Sequence, residues 1–267
     1  MPQDPLPTRS GQPSDSRLSR RPWRTLLIML AAQGALFYLA GAILRAVFGL
    51  PMNMSETQSL SAVLSLSLAG FLAYLITPHL LRVPHGKRSF RDYLSDIRLT
   101  SFRPAFRLSV LTASCVLVLV LCQGGGSVVY RLTEGKPLTS EFLSGVFDLA
   151  QALPPRSLLL FAVFFSVFEE VAFRGVLLRM LLKKHPVRRA ILYSALAFGL
   201  AHLPAVFAGR AFVATLGQVV WATLFGLFYA HLVIRTDSLV PAMVSCSSMN
   251  FLTAEALARF SSSAYSW

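Results

Sequence analysis

Apolar stretches long enough to cross a bilayer recur along this 267-residue chain, and they constrain its fold more than any other feature. A spanning helix needs roughly 20 consecutive apolar residues. Hydrocarbon offers no water to backbone N–H and C=O groups, so such runs must satisfy them internally, as helices. The runs read as Thr25–Phe48, Leu60–Leu81, Leu108–Val129, Ser157–Leu182, Ala190–Phe207, Phe212–Ile234 and Leu239–Phe260. The expected fold is all-α: a polytopic membrane protein of about seven transmembrane helices (six to eight), with a polar pocket inside the bundle. Composition agrees, because 54% hydrophobic and 14% charged residues is too apolar for an ordinary soluble domain.

Three segments follow. Residues 1–22, rich in Pro, Ser, Gln and Arg, read as a disordered basic cytoplasmic tail. Residues 23–149 hold the first transmembrane helices and an amphipathic connector, whose stretch from Glu141 to Leu149 suits an interfacial helix. Residues 150–260 form the core that carries the chemistry. The first apolar run is too long for a cleaved signal peptide and reads as a retained anchor. Cys115 and Cys122 lie on one predicted helix, too far apart along its axis to bridge, so no disulfide framework is expected.

The net charge of +13 would suit nucleic-acid binding, but its distribution points elsewhere. Most basic residues fall between Arg9 and Arg24, between Arg82 and Arg107, between Arg179 and Arg189, and at Arg235. If seven spans alternate, all of these lie on one side, the cytoplasmic one by the positive-inside rule. The N-terminus is then cytoplasmic, the bilayer is the partner, and nucleic acid is not needed to explain the charge. Small size and short loops suit a bacterial plasma membrane.

The fourth run carries Glu169, Glu170 and, one turn later, Arg174. Each charge near a bilayer centre costs at least about 2.5–3.5 kcal/mol, so three in one span need partners and a task. Glu170 and Arg174 stand i,i+4 and can pair within the helix as a structural unit. Glu169 points roughly 100° away around the helix and is left to face a cavity. The fifth run offers Phe198 and His202 on one face, and the seventh Cys246 and Asn250. Three such polar stripes facing one another would make a wet chamber within the lipid.

The ordered motifs Glu-Glu-x-x-x-Arg, Phe-x-x-x-His and a seventh-span x-x-x-x-Asn resemble those of the CPBP family of intramembrane proteases. That family holds the type II CAAX prenyl endopeptidase and its bacteriocin-processing and immunity relatives. Phe173–Arg174–Gly175 and the stretch from Ser238 to Ala242 agree with it, and the resemblance covers roughly residues 150–252. It implies an endopeptidase acting at or within the membrane on a membrane-associated protein or peptide substrate. Glu169 resembles the carboxylate that activates water and His202 the histidine that holds and polarises it. Asn250 resembles the amide that donates to the oxyanion. Glu170 and Arg174 resemble the structural ion pair.

One position departs from the pattern: Cys246 stands where the family has a second histidine. A neutral thiol is a weak donor, so oxyanion stabilisation should suffer. As a thiolate it is a good zinc ligand, and Glu169, His202 and Cys246 could form a three-ligand open zinc site. A Cys246–His202 nucleophilic pair is a further alternative. The substitution also keeps open a catalytically impaired scaffold of the same fold that binds and regulates another membrane protein. A transporter with an intramembrane ion pair has less behind it, since the sequence shows no matching pair of broken helices.

Overall fold

The computed structural model describes residues 18, 20–48, 64–65, 67–84, 89–101, 156–207 and 211–250, with scattered residues between 110 and 139. All regular structure among them is helical. The elements are α1 (Pro22–Phe48), α2 (Ser67–Leu80), α3 (Phe90–Asp96), α4 (Arg156–Glu170, running on through Val171–Leu177 to Leu178–Leu182), α5 (Val187–Leu200), α6 (Phe212–Thr236) and α7 (residues 240–250). Among the described residues, three helical stretches are long and apolar enough to cross a membrane by themselves: Pro22–Ile43, Val187–Val206 and Thr215–Thr236. The predicted third span and the amphipathic stretch 141–149 lie largely or wholly outside the described residues, as do Cys115 and Cys122.

Two local departures from the sequence reading have clear causes. The basic loop after α2 contains a short helix, α3, started by a reciprocal cap: Asp92 N–H donates to Ser89 Oγ at 3.1 Å, and Ser89 N–H donates to Asp92 Oδ2 at 3.2 Å. The predicted fifth span, Ala190–Phe207, is α-helical only to Leu200. Pro204 cannot donate a backbone hydrogen bond, so the α-helical ladder stops there and the chain tightens into a short 3-10 turn, Leu203–Val206. His202 therefore sits in the turn that ends α5, not in its interior.

Small residues set the closest packing. A Cβ on Gly199 of α5 would meet Thr223 Oγ1 of α6 at 2.0 Å and the Val219 carbonyl at 2.7 Å. A Cβ on Gly226 of α6 would meet Ala195 Cα of α5 at 2.9 Å. The pairs 195 with 226 and 199 with 223 fix an antiparallel crossing with small residues four apart on α5 and three apart on α6, as membrane helices use for close approach. Gly70 of α2 likewise lies under the Phe168 ring of α4.

The basic connections gather at one end. Lys183 Nζ donates to the Pro84 carbonyl at 2.6 Å, and Lys184 Nζ donates to the Arg20 carbonyl. Asp237 takes Arg98 at 2.9 Å and Arg179 at 3.1 Å, while Leu239 N–H donates to the Arg98 carbonyl at 3.1 Å. The start of α1, the end of α2, the end of α4 and the α6–α7 turn thus share one end of the bundle. Large apolar side chains such as Val213, Val220 and Trp221 face outward, whereas Glu170 and Arg174 are fully buried. Apolar surface outside and charge inside is the distribution lipid demands.

Candidate active site

The site grows from one turn of α4. The helix is α-helical through Glu170 and widens to π geometry over Val171–Leu177. A π-turn inside an α-helix marks functional sites often, because it re-aims side chains at the cost of poorer hydrogen bonding. Ser194 of α5 supports the widened turn by donating to the Phe173 carbonyl at 2.9 Å.

Glu170 and Arg174 pair as the spacing predicts: Arg174 Nη1 donates to Glu170 Oε1 at 2.8 Å, both side chains wholly buried. The remaining polar atoms, Glu170 Oε2 and Arg174 Nε and Nη2, have no hydrogen-bond partner among the described residues. The guanidinium lies instead against aromatic faces, its carbon 4.2 Å from the Phe198 ring centroid, 5.6 Å from Tyr229 and 6.0 Å from Phe173. Ring quadrupoles supply part of the stabilisation that water would give an exposed cation.

Glu169 does not share that arginine. Its Oε1 lies 3.9 Å from His202 Nε2, across the gap between α4 and the end of α5, with the two side chains 12% and 18% exposed. His202 Nδ1 stands 2.9 Å from the Phe198 carbonyl. A carbonyl only accepts, so Nδ1 carries the proton and, in the neutral ring, Nε2 presents its lone pair toward Glu169. Phe198 also meets the imidazole edge to face at 5.2 Å, so the shared face of Phe198 and His202 expected from sequence is realised. A separation of 3.9 Å is too long for a direct hydrogen bond, but both groups can contact one water oxygen at about 2.8 Å from each.

From α7, Asn250 Nδ2 donates to Ser166 Oγ at 2.8 Å. Ser166 stands one turn before Glu170, so α7 docks on the stretch of α4 that bears both glutamates. An amide carries two N–H donors, and this bond uses one of them. Cys246, 2% exposed, has Glu170 and Ser166 as its hydrogen-bonding neighbours. Among the described residues no three of His, Cys, Asp and Glu are grouped closely enough to hold a metal ion.

Sequence reasoning missed Ser166, Tyr74 and Tyr229. Ser166 had a signal, a lone hydroxyl one turn before a buried acid. Tyr74 of α2 donates to Gln33 of α1 and lies within electrostatic reach of Glu169; Tyr229 lies among Phe225, Phe228 and other apolar neighbours that mask it.

The described residues thus form a helical bundle with charge sequestered inside and an acid facing an imidazole. Residues 151–252, under half of the chain, match the family model described as Type II CAAX prenyl endopeptidase Rce1-like. The resemblance read from the three motifs is thereby shown for that region, and the region is of a protease family. The protein is an integral membrane protein. No curated protein and no solved structure matches the chain.

Proposed function

We propose that this protein is an intramembrane endopeptidase in which Glu169 and His202 activate a water for attack on a peptide carbonyl. The observation that carries the reading is the 3.9 Å approach of Glu169 Oε1 to His202 Nε2, made by two residues from different helices while the neighbouring acid is spent on Arg174. As the water adds to the carbonyl carbon, its proton passes to Glu169 and the carbonyl π pair moves to oxygen. Collapse breaks the C–N bond, and the proton goes from Glu169 to the leaving amine. The second N–H of Asn250 is the donor for the transient oxyanion. Cys246 flanks this donor set from the turn before.

The match of residues 151–252 supports peptide hydrolysis and suggests a prenylated CAAX peptide as first probe. Detergent-purified protein is given quenched-fluorescence peptides ending in a farnesylated or an unmodified CAAX sequence. Glu169→Gln and His202→Ala should abolish cleavage while leaving the unfolding midpoint in place; wild-type turnover by either variant overturns the reading. The commitment of Cys246 to Glu170 and Ser166 favours, as a second reading, a scaffold that binds and regulates another membrane protein. That reading gains if no peptide is cleaved and a deletion phenotype is complemented equally by wild type and Glu169→Gln. The basic loops at one end support a cytoplasmic N-terminus.

A further inference from the structure

Tyr229 of α6 is 1% exposed, and its hydroxyl has no hydrogen-bond partner among the described residues. Its ring stacks on Phe225 at 5.8 Å and faces the Arg174 guanidinium at 5.6 Å. The polar groups within electrostatic reach of the hydroxyl come from α4 and α7: Cys246, Glu170, Arg174 and Glu169. A phenol that only filled space would be replaced by phenylalanine at no loss, as at Phe225 and Phe228 on the same helix. Holding its O–H unpaired away from water costs about 1–3 kcal/mol. The neighbouring donors are few. Asn250 has one N–H left after its bond to Ser166, and the Cys246 thiol donates poorly.

We infer that Tyr229 is a hydrogen-bond donor of the reaction centre, its O–H serving the anionic oxygen that forms on the scissile carbonyl. It acts from α6 beside a thiol too weak to do so from α7. This rests on the hydrolase reading above. The O–H bond does not break: the phenol donates a hydrogen bond to the oxyanion, and the proton of the attacking water still goes to Glu169.

The test compares wild type, Tyr229→Phe, Cys246→His, the double variant and Glu169→Gln on the farnesylated CAAX peptide. Tyr229→Phe should lower kcat by about 10²-fold, as loss of an oxyanion donor does. KM should stay within about twofold and the unfolding midpoint should hold. In the Cys246→His background the same change should cost less than about threefold, because an imidazole N–H then donates from position 246. Wild-type kcat in Tyr229→Phe, or an equal loss in both backgrounds with a lowered midpoint, overturns the proposal. Full turnover by Glu169→Gln would sink the hydrolase reading itself, whatever Tyr229 does.

Discussion

Glu169 and Glu170 are adjacent in sequence and alike in chemistry, yet the fold gives them opposite situations. Glu170 is sealed, its carboxylate 2.8 Å from the Arg174 guanidinium, with both side chains fully buried and aromatic rings packed over the cation. Glu169 keeps 12% of its side-chain surface and looks across 3.9 Å at the His202 imidazole. A buried ion pair whose members are matched is hard to disturb and does no chemistry. Glu169 is instead left beside a ring nitrogen, and the nearest cation is already bound to its neighbour. The sealed pair makes the open one possible, because Arg174 would otherwise compete for Glu169.

The largest expected effect tests that division directly. Glu169→Gln keeps shape and removes the base, so peptide cleavage should fall by about 10²–10⁴-fold. The unfolding midpoint in detergent should stay close to wild type. Next comes Arg174→Met, which strands the Glu170 carboxylate and should destabilise the protein by about 3–5 kcal/mol in thermal unfolding. The double variant Glu170→Gln with Arg174→Met removes both charges and should recover most of that loss. The comparison breaks if the two glutamates exchange effects, with stability lost at 169 and chemistry lost at 170.

Legibility in the sequence follows the same division. The i,i+4 pair, the free acid beside it, and the shared face of Phe198 and His202 were readable, because each follows from the helical repeat within one segment. What the repeat cannot show is which groups arrive from other helices. The Asn250 bond to Ser166, the placement of Cys246 against Glu170, and the unpaired hydroxyl of Tyr229 all depend on how α6 and α7 cross α4. The π-turn at Val171–Leu177 was equally hidden, since no proline or glycine pair announces it; Gly175 alone permits the approach of Ile97 and Leu239, each 3.2 Å from where its Cβ would be.

A smaller effect should come from the packing that carries His202 to its place. Gly199 lies three residues before the histidine, and any Cβ there collides with Thr223 and the Val219 carbonyl. Gly199→Val should cost about 1–3 kcal/mol by overpacking, read as a lowered unfolding midpoint. Cleavage should fall with it, as the end of α5 is pushed from α4. Gly217 of α6 has nothing within 4 Å of where an added methyl would sit, so Gly217→Ala should leave both readouts near wild type.

The smallest effect separates burial from charge. Asp237 bridges Arg98 at 2.9 Å and Arg179 at 3.1 Å, distances much like those of the internal pair, but its side chain is 50% exposed. Its backbone is left-handed, with φ of 50°, a conformation that asparagine adopts at least as readily as aspartate. Asp237→Asn therefore changes charge without adding backbone strain. Solvent screens the half-exposed Asp237 carboxylate, and asparagine still accepts from the 9% exposed Arg179, so the change should cost about 1 kcal/mol in thermal unfolding. Much of that difference should vanish at 1 M salt, where the screening length shrinks to about 3 Å. A loss as large as that of Arg174→Met would mean that the clustered basic end, and not the sealed pair, holds α4 against α7. The separate roles assigned to the two glutamates would then have no structural basis.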